Sequence, residues 1–435
     1  MGAIFSHRKQ LPWRPLKRQN KLLTNRFLAA LQYRDYRWLW LATMSGASAY
    51  WALIVTRGIL VLEMSGSSGM VGIVTFAAMA PRFLVPPVAG YLADRFRRRD
   101  VLAVSYFLNM LNNAVLTVLT FSGFLELWHL MALSLLNGTV RTFQMTSTAA
   151  LVPNLVPREN MLNAISLNSA TQQGARLLGP GIITPLLIIS GPWAAFFMSA
   201  VFYAFGLLMV RRIQSDSTGT VGSGIGITAS LILAAKVVYQ NQRLRILFLL
   251  VALHCAMTMS FESMFPIFAR DVLFSGGVGV SYLMMSVGAG GLLASVLIAG
   301  VRGEVARGRL LFFTGIISGF SLLALASSPA MTIGIFAATA MGASQAAFMA
   351  LVNSMIQMMA PDSMRGRISG LNQINIGGTM AVLNLSNGFI SGAIGSVIVL
   401  TSLGIGFTGI MLISLILATT REVYLGRKPA DEIRI

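Results

Sequence analysis

Residues 90–99 read GYLADRFRRR, a short charged stretch in which Asp94 precedes four arginines and follows Gly90 by four residues. On each side lie about 20 almost wholly apolar residues, the length that one helix needs to cross a bilayer. The stretch therefore predicts a charged turn between two membrane-spanning helices.

The composition extends this prediction to the whole chain. Of 435 residues, 55% are hydrophobic and only 11% are charged, whereas a soluble domain carries about 25% charged residues. Inside lipid every backbone polar group needs a partner within the protein, which favours helices. We predict an all-α membrane protein with twelve transmembrane helices, at residues 36–62, 69–91, 101–121, 128–150, 161–188, 192–211, 246–268, 278–300, 310–327, 331–354, 368–390 and 395–420.

The formal net charge of +19 reflects topology rather than a nucleic-acid partner. Of the 33 Lys and Arg residues, 28 lie on one side of the predicted membrane. They are in the N-terminal segment to Arg37, the C-terminal tail and the even-numbered loops, which follow spans 2, 4, 6, 8 and 10. The exceptions are Arg57, Arg82, Arg141, Arg176 and Arg270. By the positive-inside rule, that side of the membrane is the cytoplasm. We expect a multi-pass, monomeric protein of the inner or plasma membrane that contacts anionic lipid and has both termini in the cytoplasm.

The spans divide into two groups of six. We predict a cytoplasmic N-terminal segment at residues 1–35 with an interfacial helix, one six-helix bundle at 36–211 and a second at 246–420. A cytoplasmic linker at 212–245 begins with a Gly/Ser-rich stretch and continues as an amphipathic helix. Residues 421–435 form a cytoplasmic tail.

Two pairs of segments repeat along the chain. At an offset of 210, Gly90, Asp94, Arg97 and Arg99 match Gly300, Glu304, Arg307 and Arg309. At an offset of 204, Pro157, Leu167, Asn168 and Gly174 match Pro361, Leu371, Asn372 and Gly378. Parallel repeats of six helices are typical of transporters that bind their substrate between the two halves.

A family resemblance rests on these motifs. The pattern of Gly90, Leu92, Ala93, Asp94, Arg95, Arg98 and Arg99 resembles the loop signature between helices 2 and 3 of the major facilitator superfamily, with Arg97 in place of its usual second glycine. The sequences YRDYRWLWLATM (33–44), SLNSATQQGARLLGPGI (166–182), FPIFARDVL (265–273) and APDSMRGRISGLN (360–372) resemble its macrolide-efflux and enterobactin-exporter branch, the type 3 drug:proton antiporters.

The resemblance implies a role for the charged turn. Asp94 lies at a helix C-terminus, where the helix dipole disfavours a carboxylate. The family pattern implies that Asp94 pairs with an arginine and with the start of the eleventh helix, and so latches the cytoplasmic side shut. The alternative is a solvated turn. We predict that the gating set comprises Gly90, Asp94, Arg95, Arg98 and Arg99 with Gly300, Glu304 and Arg309.

Charges within the spans are the strongest functional signal, because each costs about 2.5–3.5 kcal/mol at bilayer depth. Arg57 lies near the outer end of its span and either reaches the interface or serves function. Arg141 opens the sequence RTFQ, which partly resembles an antiporter motif and includes Gln144. Arg141 can influence a proton site, bind an anionic substrate or form a structural pair. Arg82 and Arg176 are further candidates for substrate binding or proton coupling.

Glu262 is the one well-placed proton carrier within a span. Competition between a proton and a charged substrate at Glu262 would couple their movements; a static pair with His254 is the alternative. Asn372, Gln373 and Gln345 are candidate hydrogen-bonding partners for a substrate, or join helices. Gly174, Gly179 and Pro180 resemble the Gly-Pro element that bends helix 5 in exporters.

These features predict a proton-coupled exporter of amphipathic or anionic small molecules, working by alternating access. A lipid flippase on the same fold and a non-transporting sensor or scaffold are the alternatives. The sequence shows no nucleotide-binding loop and no nucleophile–base set that would indicate an enzyme. With one cysteine and three distant histidines, we expect no metal site, and we expect no cofactor beyond a proton gradient.

Overall fold

The computed structural model describes residues 28–215, 227–298, 301, 303–361 and 364–425. A 3₁₀ turn at Ala29–Gln32 leads into the first group of helices. These are α1 Arg34–Ser65, α2 Ser68–Met79, α3 Pro81–Leu84, α4 Pro86–Arg95, α5 Arg98–Phe121, α6 Leu127–Leu155, α7 Met161–Ser190 and α8 Pro192–Arg211, with a 3₁₀ turn at Arg158–Asn160.

The second group follows a linker. Its helices are α9 Ile227–Gln240, α10 Gln242–His254, α11 Phe265–Asp271, α12 Gly276–Ile298, α13 Glu304–Ala326, α14 Met331–Met359, α15 Arg365–Ile394, α16 Ser396–Ser414 and α17 Ala418–Leu425. Helix α9 lies where the amphipathic linker helix was predicted. Most of the predicted interfacial helix and the tail beyond residue 425 lie outside the described residues.

The internal repeat is visible in the helix bounds. Helices α6 and α14 begin at 127 and 331 and end at 155 and 359, so both bounds differ by 204 residues. Helices α7 and α15 begin at 161 and 365 and end at 190 and 394, with the same offset. Gly191 and Gly395 follow them with φ of 83° and 89°, a backbone region that glycine adopts without strain.

Three predicted spans are broken or end markedly earlier in the structure. The second is divided at Pro81 and Pro86, because proline lacks an N–H and interrupts the helical hydrogen-bond ladder. The seventh, predicted as one helix over 246–268, is broken between α10 and α11. The twelfth ends at Ser414 rather than 420, where a short break precedes α17.

Eight of the described helical segments are long and apolar enough to cross a membrane. Helix α5 presents an apolar stripe to the outside of the assembly, as a lipid-facing helix does. The exposed side chains of that stripe are Val104, Phe107, Leu108, Leu111, Val115 and Val118. The protein is therefore a multi-pass membrane protein whose apolar surface faces lipid.

Helices of the first half, α1–α8, meet those of the second half, α10–α16, along two seams. Helices α2 and α3 pack on α15, while α7 packs on α12. The end that carries the turns at Phe96, Val156 and Ala360 is called the basic end, because the even-numbered loops lie there. The end with the turns at Gly66, Gly191 and Gly395 is called the opposite end.

The two ends differ in how closely the halves approach. At the opposite end, a Cβ added to Gly388 would stand 2.8 Å from the Gly72 Cα, and the Ser68 hydroxyl donates to the Gly388 carbonyl at 2.8 Å. At the basic end, no atom of the described chain lies within 4 Å of a Cβ added to Gly366 or Gly370. The halves are in close contact at the opposite end, whereas Gly366 and Gly370 face open space at the basic end.

Candidate functional site

The centre of α1 carries an aromatic pair that gathers arginines. The rings of Tyr50 and Trp51 meet edge to face, with centroids 5.6 Å apart. The guanidinium carbons of Arg82 and Arg141 lie 5.0 and 4.8 Å from the Tyr50 ring centroid. Arg82 also donates to the Tyr50 hydroxyl. Cation–π attraction thus holds two cations on one ring.

A third arginine completes this group, which we call the arginine cluster: Arg82, Arg141 and Arg176. The guanidinium carbon of Arg176 lies 4.3 Å from the Trp51 ring centroid and 5.3 Å from that of Phe261. A terminal guanidinium nitrogen of Arg176 also lies 3.7 Å from the Met284 sulfur of α12. The cluster therefore contacts both halves of the protein.

The arginine cluster is incompletely satisfied. Each of its three Nε atoms is buried and has no hydrogen-bond partner in the described part of the chain. Arg141 donates from its terminal nitrogen to the Gln172 side chain at 3.3 Å. Buried guanidinium donors that lack acceptors are costly, so an additional acceptor would stabilise the site.

Glu262 provides the negative charge nearby. Among the described residues, it is the only carboxylate with a buried side chain, 5% exposed. Its Oε2 has no hydrogen-bond partner within the described chain. Arg176 and Arg82 are close enough for their charges to act on it. No ion pair or hydrogen bond in this part of the chain joins Glu262 to His254, so the predicted alternative of a static pair is wrong.

Glu262 occupies the break in the seventh span. Helix α10 ends at His254, a π-helical turn covers Cys255–Met259, and α11 starts at Phe265. The Ser260 hydroxyl donates to the Cys255 carbonyl at 2.7 Å and so extends the wide turn. π-Helical turns inside helices are frequent at functional sites. Residues 260–264 thus present Glu262 from irregular backbone.

Polar side chains of α14 and α15 hold this break, and we call Gln345, Asn384 and Asn387 the clamp. Gln345 donates to the Thr258 carbonyl. Asn387 donates to the Ser260 carbonyl at 2.7 Å. The Asn384 Oδ1 accepts the backbone N–H of residue 263 at 3.1 Å. These bonds replace the helical ones that the break removes, which lipid could not supply.

Arg57 belongs to a separate network inside the first half. It is 4% exposed and donates to Ser134 Oγ at 2.8 Å and Asn137 Oδ1 at 3.0 Å. Asn137 in turn donates to Asn109 Oδ1 at 2.7 Å. The prediction that Arg57 extends to the interface is wrong, because these amide and hydroxyl oxygens of α6 satisfy it. A cavity of about 20 Å³ separates Arg57 and Tyr50 from Glu262, room for about one water molecule.

Other predicted residues lie away from the cluster. His254 is fully buried, bonds Ser318 Oγ at 3.2 Å and stacks on Phe348 at 4.1 Å, so its ring packs in the second half's core. Asn372 bonds Asn353 at 2.7 Å, which favours helix joining, and Gln373 is exposed. Gln144 lies against Gly46 and Tyr106 rather than beside Arg141's guanidinium.

The glycines of α7 have different surroundings. A Cβ on Gly179 would stand 2.3 Å from the Ser48 carbonyl oxygen, so Gly179 allows α1 and α7 to approach closely. Gly174 has no atom of the described chain within 4 Å of such a Cβ and faces open space. Pro180 lies inside α7, which continues through it to Ser190. The predicted bend stays a prediction.

The charged turn is anchored within its own half. Arg98 donates to the Ala150 carbonyl at 2.8 Å and Arg99 to the Ile213 carbonyl at 3.0 Å, while Arg95 is exposed. The side chain of Asp94 and the surroundings of Gly90 and Gly300 lie outside the described part of the chain, so the latch stays a prediction. Glu304 and Arg309 are exposed at the start of α13.

Sequence reasoning missed the clamp. Gln345 was noted only as a possible hydrogen-bonding residue, and Asn384 and Asn387 were not selected. Their signal was available, because AVLNLSNGF at 381–389 places two asparagines three residues apart in an apolar run. Residues three apart share a helix face, and amides at bilayer depth need partners.

The sequence and the fold are similar to those of known transport proteins. The family model described as transmembrane secretion effector matches residues 26–427. The chain is 22% identical over 339 residues to the multidrug efflux pump Tap of Mycolicibacterium fortuitum, covering 76% of this chain and 82% of that protein. It is 23% identical over 258 residues to the staphyloferrin A transporter of Staphylococcus aureus, covering 58% and 64%. A solved POT family transporter in complex with 5-aminolevulinic acid is similar in fold, with a TM-score of 0.69, 13% identity and coverage of 90% and 97%.

Proposed function

The chain belongs to the transmembrane secretion effector family of the major facilitator superfamily, and we propose that it is a proton-coupled exporter of amphipathic or anionic small molecules. One relative is named a multidrug efflux pump and another a staphyloferrin A transporter. The proposal includes twelve membrane-spanning helices in two six-helix bundles, with the substrate held between them and the basic end in the cytoplasm.

One observation carries the proposal: Glu262 lies in a break of a membrane helix, within electrostatic reach of arginines from the other half. Broken helices at mid-membrane are where secondary transporters bind substrates and coupling ions. A carboxyl group there changes charge when it takes up a proton. That change alters its attraction to Arg176 and Arg82, and hence the contact between the halves.

The unequal ends support alternating access. Close contact at Ser68 and Gly388, together with open space beside Gly366 and Gly370, supports a state that is open at the basic end. An exporter must pass through such a state to load its substrate. The opposite state follows if the halves rock about the substrate site.

Transport into inverted membrane vesicles tests the proposal, with carboxyfluorescein as the anionic probe and labelled tetraphenylphosphonium as the amphipathic cation. We expect wild-type vesicles to accumulate at least one probe, faster with an imposed pH gradient. Glu262→Gln removes the titrating group while keeping its size, and should reduce uptake to the rate seen without a gradient.

The control is Glu63→Gln, which removes an exposed carboxylate of α1 far along the helix from the arginine cluster. This variant should respond to the gradient like the wild type. Absence of uptake of both probes by wild-type vesicles would contradict export. Full gradient stimulation in Glu262→Gln would contradict coupling through this carboxylate.

A further inference from the structure

The arginine cluster has more positive charge than its surroundings balance. Arginine stays protonated in proteins, so Arg82, Arg141 and Arg176 contribute three cations. The described chain places one buried carboxylate, Glu262, within reach of them. At least two positive charges therefore have no buried counterion among the described residues.

The geometry of the donors also indicates a missing acceptor. Arg82 comes from α3, Arg141 from α6 and Arg176 from α7, and all three converge on the Tyr50–Trp51 pair of α1. Each retains a buried Nε without a partner in this part of the chain. Guanidinium groups bind carboxylate and phosphate oxygens through paired hydrogen bonds. Donors from three helices suit a ligand with several anionic groups rather than one.

The residues around the arginine cluster disfavour a cationic substrate. A cationic substrate that reached Glu262 would be repelled by Arg176 and Arg82, whose charges act on that carboxylate inside a low-dielectric site. Tyr50 and Trp51 cover the cluster with aromatic faces that attract the arginines themselves.

We propose that the arginine cluster binds a substrate carrying two or more anionic oxygen groups, and that Glu262 serves as an internal competitor for the same arginines. This inference rests on the proposed exporter function and narrows its substrate to polyanions. When no substrate is bound, the negative charge of the Glu262 carboxylate acts on Arg176 and Arg82 without a direct hydrogen bond to either. A polyanion replaces it at these arginines.

The test is isothermal titration of the purified full-length chain in lipid nanodiscs. The probes are benzene-1,3,5-tricarboxylate, benzoate as the monoanion, and tetraphenylphosphonium as an apolar cation. We expect the tricarboxylate to bind most tightly. Arg176→Gln should weaken it by about 10-fold, equal to about 1.4 kcal/mol. Arg57→Gln makes the same charge change in the separate network of α6 and should weaken it far less.

Glu262→Gln gives the sharpest outcome, because it keeps all three arginines. Removal of an internal competitor should tighten tricarboxylate binding, whereas loss of a cation-binding carboxylate would weaken tetraphenylphosphonium binding instead. The proposal is overturned if the tricarboxylate binds no more tightly than benzoate, if Glu262→Gln weakens it, or if Arg57→Gln and Arg176→Gln weaken it equally.

These outcomes are separable from those of the transport assay. Tight tricarboxylate binding without gradient-stimulated uptake would retain the anion site and reject proton-coupled export. Gradient-stimulated export of tetraphenylphosphonium without tricarboxylate binding would retain the exporter and reject the polyanion site.

Discussion

Helix α1 and residues 242–271 are counterparts in the internal repeat, yet they are built differently. Helix α1 runs unbroken for 32 residues and carries Tyr50, Trp51 and Arg57. Its counterpart is interrupted by a π-helical turn and irregular residues that carry Glu262. One half therefore supplies cations around an aromatic pair on a continuous helix, and the other supplies a titratable carboxylate on irregular backbone.

The difference has a physical basis in backbone hydrogen bonding. A continuous helix satisfies its own N–H and C=O groups, whereas a break inside the membrane exposes them. Here the break is held by side chains of α14 and α15, the clamp of Gln345, Asn384 and Asn387. The position of Glu262 consequently depends on residues that are far away in the sequence, because the three clamp bonds join positions separated by 87, 121 and 127 residues.

The largest effect is expected from breaking the clamp with Asn384→Ala. The substitution removes the Oδ1 acceptor of the residue 263 N–H and leaves that donor buried, at a cost of about 1–3 kcal/mol. It should also displace Glu262. We expect a lower thermal unfolding temperature and loss of gradient-stimulated uptake to the level of Glu262→Gln.

A matched control lies two residues further along α15. Ser386 bonds only to the Val382 carbonyl of its own helix among its described hydrogen bonds, at 3.1 Å. Ser386→Ala should leave both stability and uptake close to those of the wild type. If Asn384→Ala kept full gradient stimulation, the break would not contribute to proton coupling. Helix α1 and its counterpart would then not differ in function.

Most of the membrane spans and the charged residues of the site were predictable from the sequence. Apolar runs of about 20 residues gave the spans, and the cost of buried charge selected Arg82, Arg141, Arg176 and Glu262. Those residues do converge, because they lie on helices that meet at the seam between the halves.

The break itself was not predictable in the same way. Residues 246–268 are as apolar as a continuous span, and Pro266 fits the first turn of α11 rather than interrupting a helix. The irregular backbone is stable because amides of α14 and α15 accept and donate at the right places. Local sequence cannot specify such partners, since they depend on packing. For the same reason Arg57, also a buried cation, could not be separated from the arginine cluster before Ser134 and Asn137 were seen beside it.

A smaller effect is expected from Arg57→Gln, which tests a buried cation of α1 outside the arginine cluster. Glutamine is too short to bond both Ser134 and Asn137, so one buried polar group loses its partner, at a cost of about 1–3 kcal/mol. Arg57 lines the same small cavity as Tyr50 but makes no described hydrogen bond or ring contact with the aromatic pair, so uptake per folded molecule should persist. Thermal unfolding and vesicle uptake of the same preparation measure both. Loss of uptake at unchanged stability would place Arg57 in the transport site.

The smallest effect is expected from Ser263→Ala, which separates the two bonds that join residue 263 to Asn384. The substitution removes the hydroxyl that donates to the Asn384 carbonyl at 2.7 Å but retains the backbone N–H held by Asn384 Oδ1. Side-chain hydrogen bonds between membrane helices contribute about 0.6 kcal/mol on average, so stability should fall slightly and gradient-stimulated uptake should continue. Ser260→Ala, which removes a hydroxyl bonded within its own segment, is the comparison variant. A loss of uptake in Ser263→Ala equal to that in Asn384→Ala would show that the clamp acts through the hydroxyl. In that case the break in residues 242–271, which α1 lacks, would not be what positions Glu262.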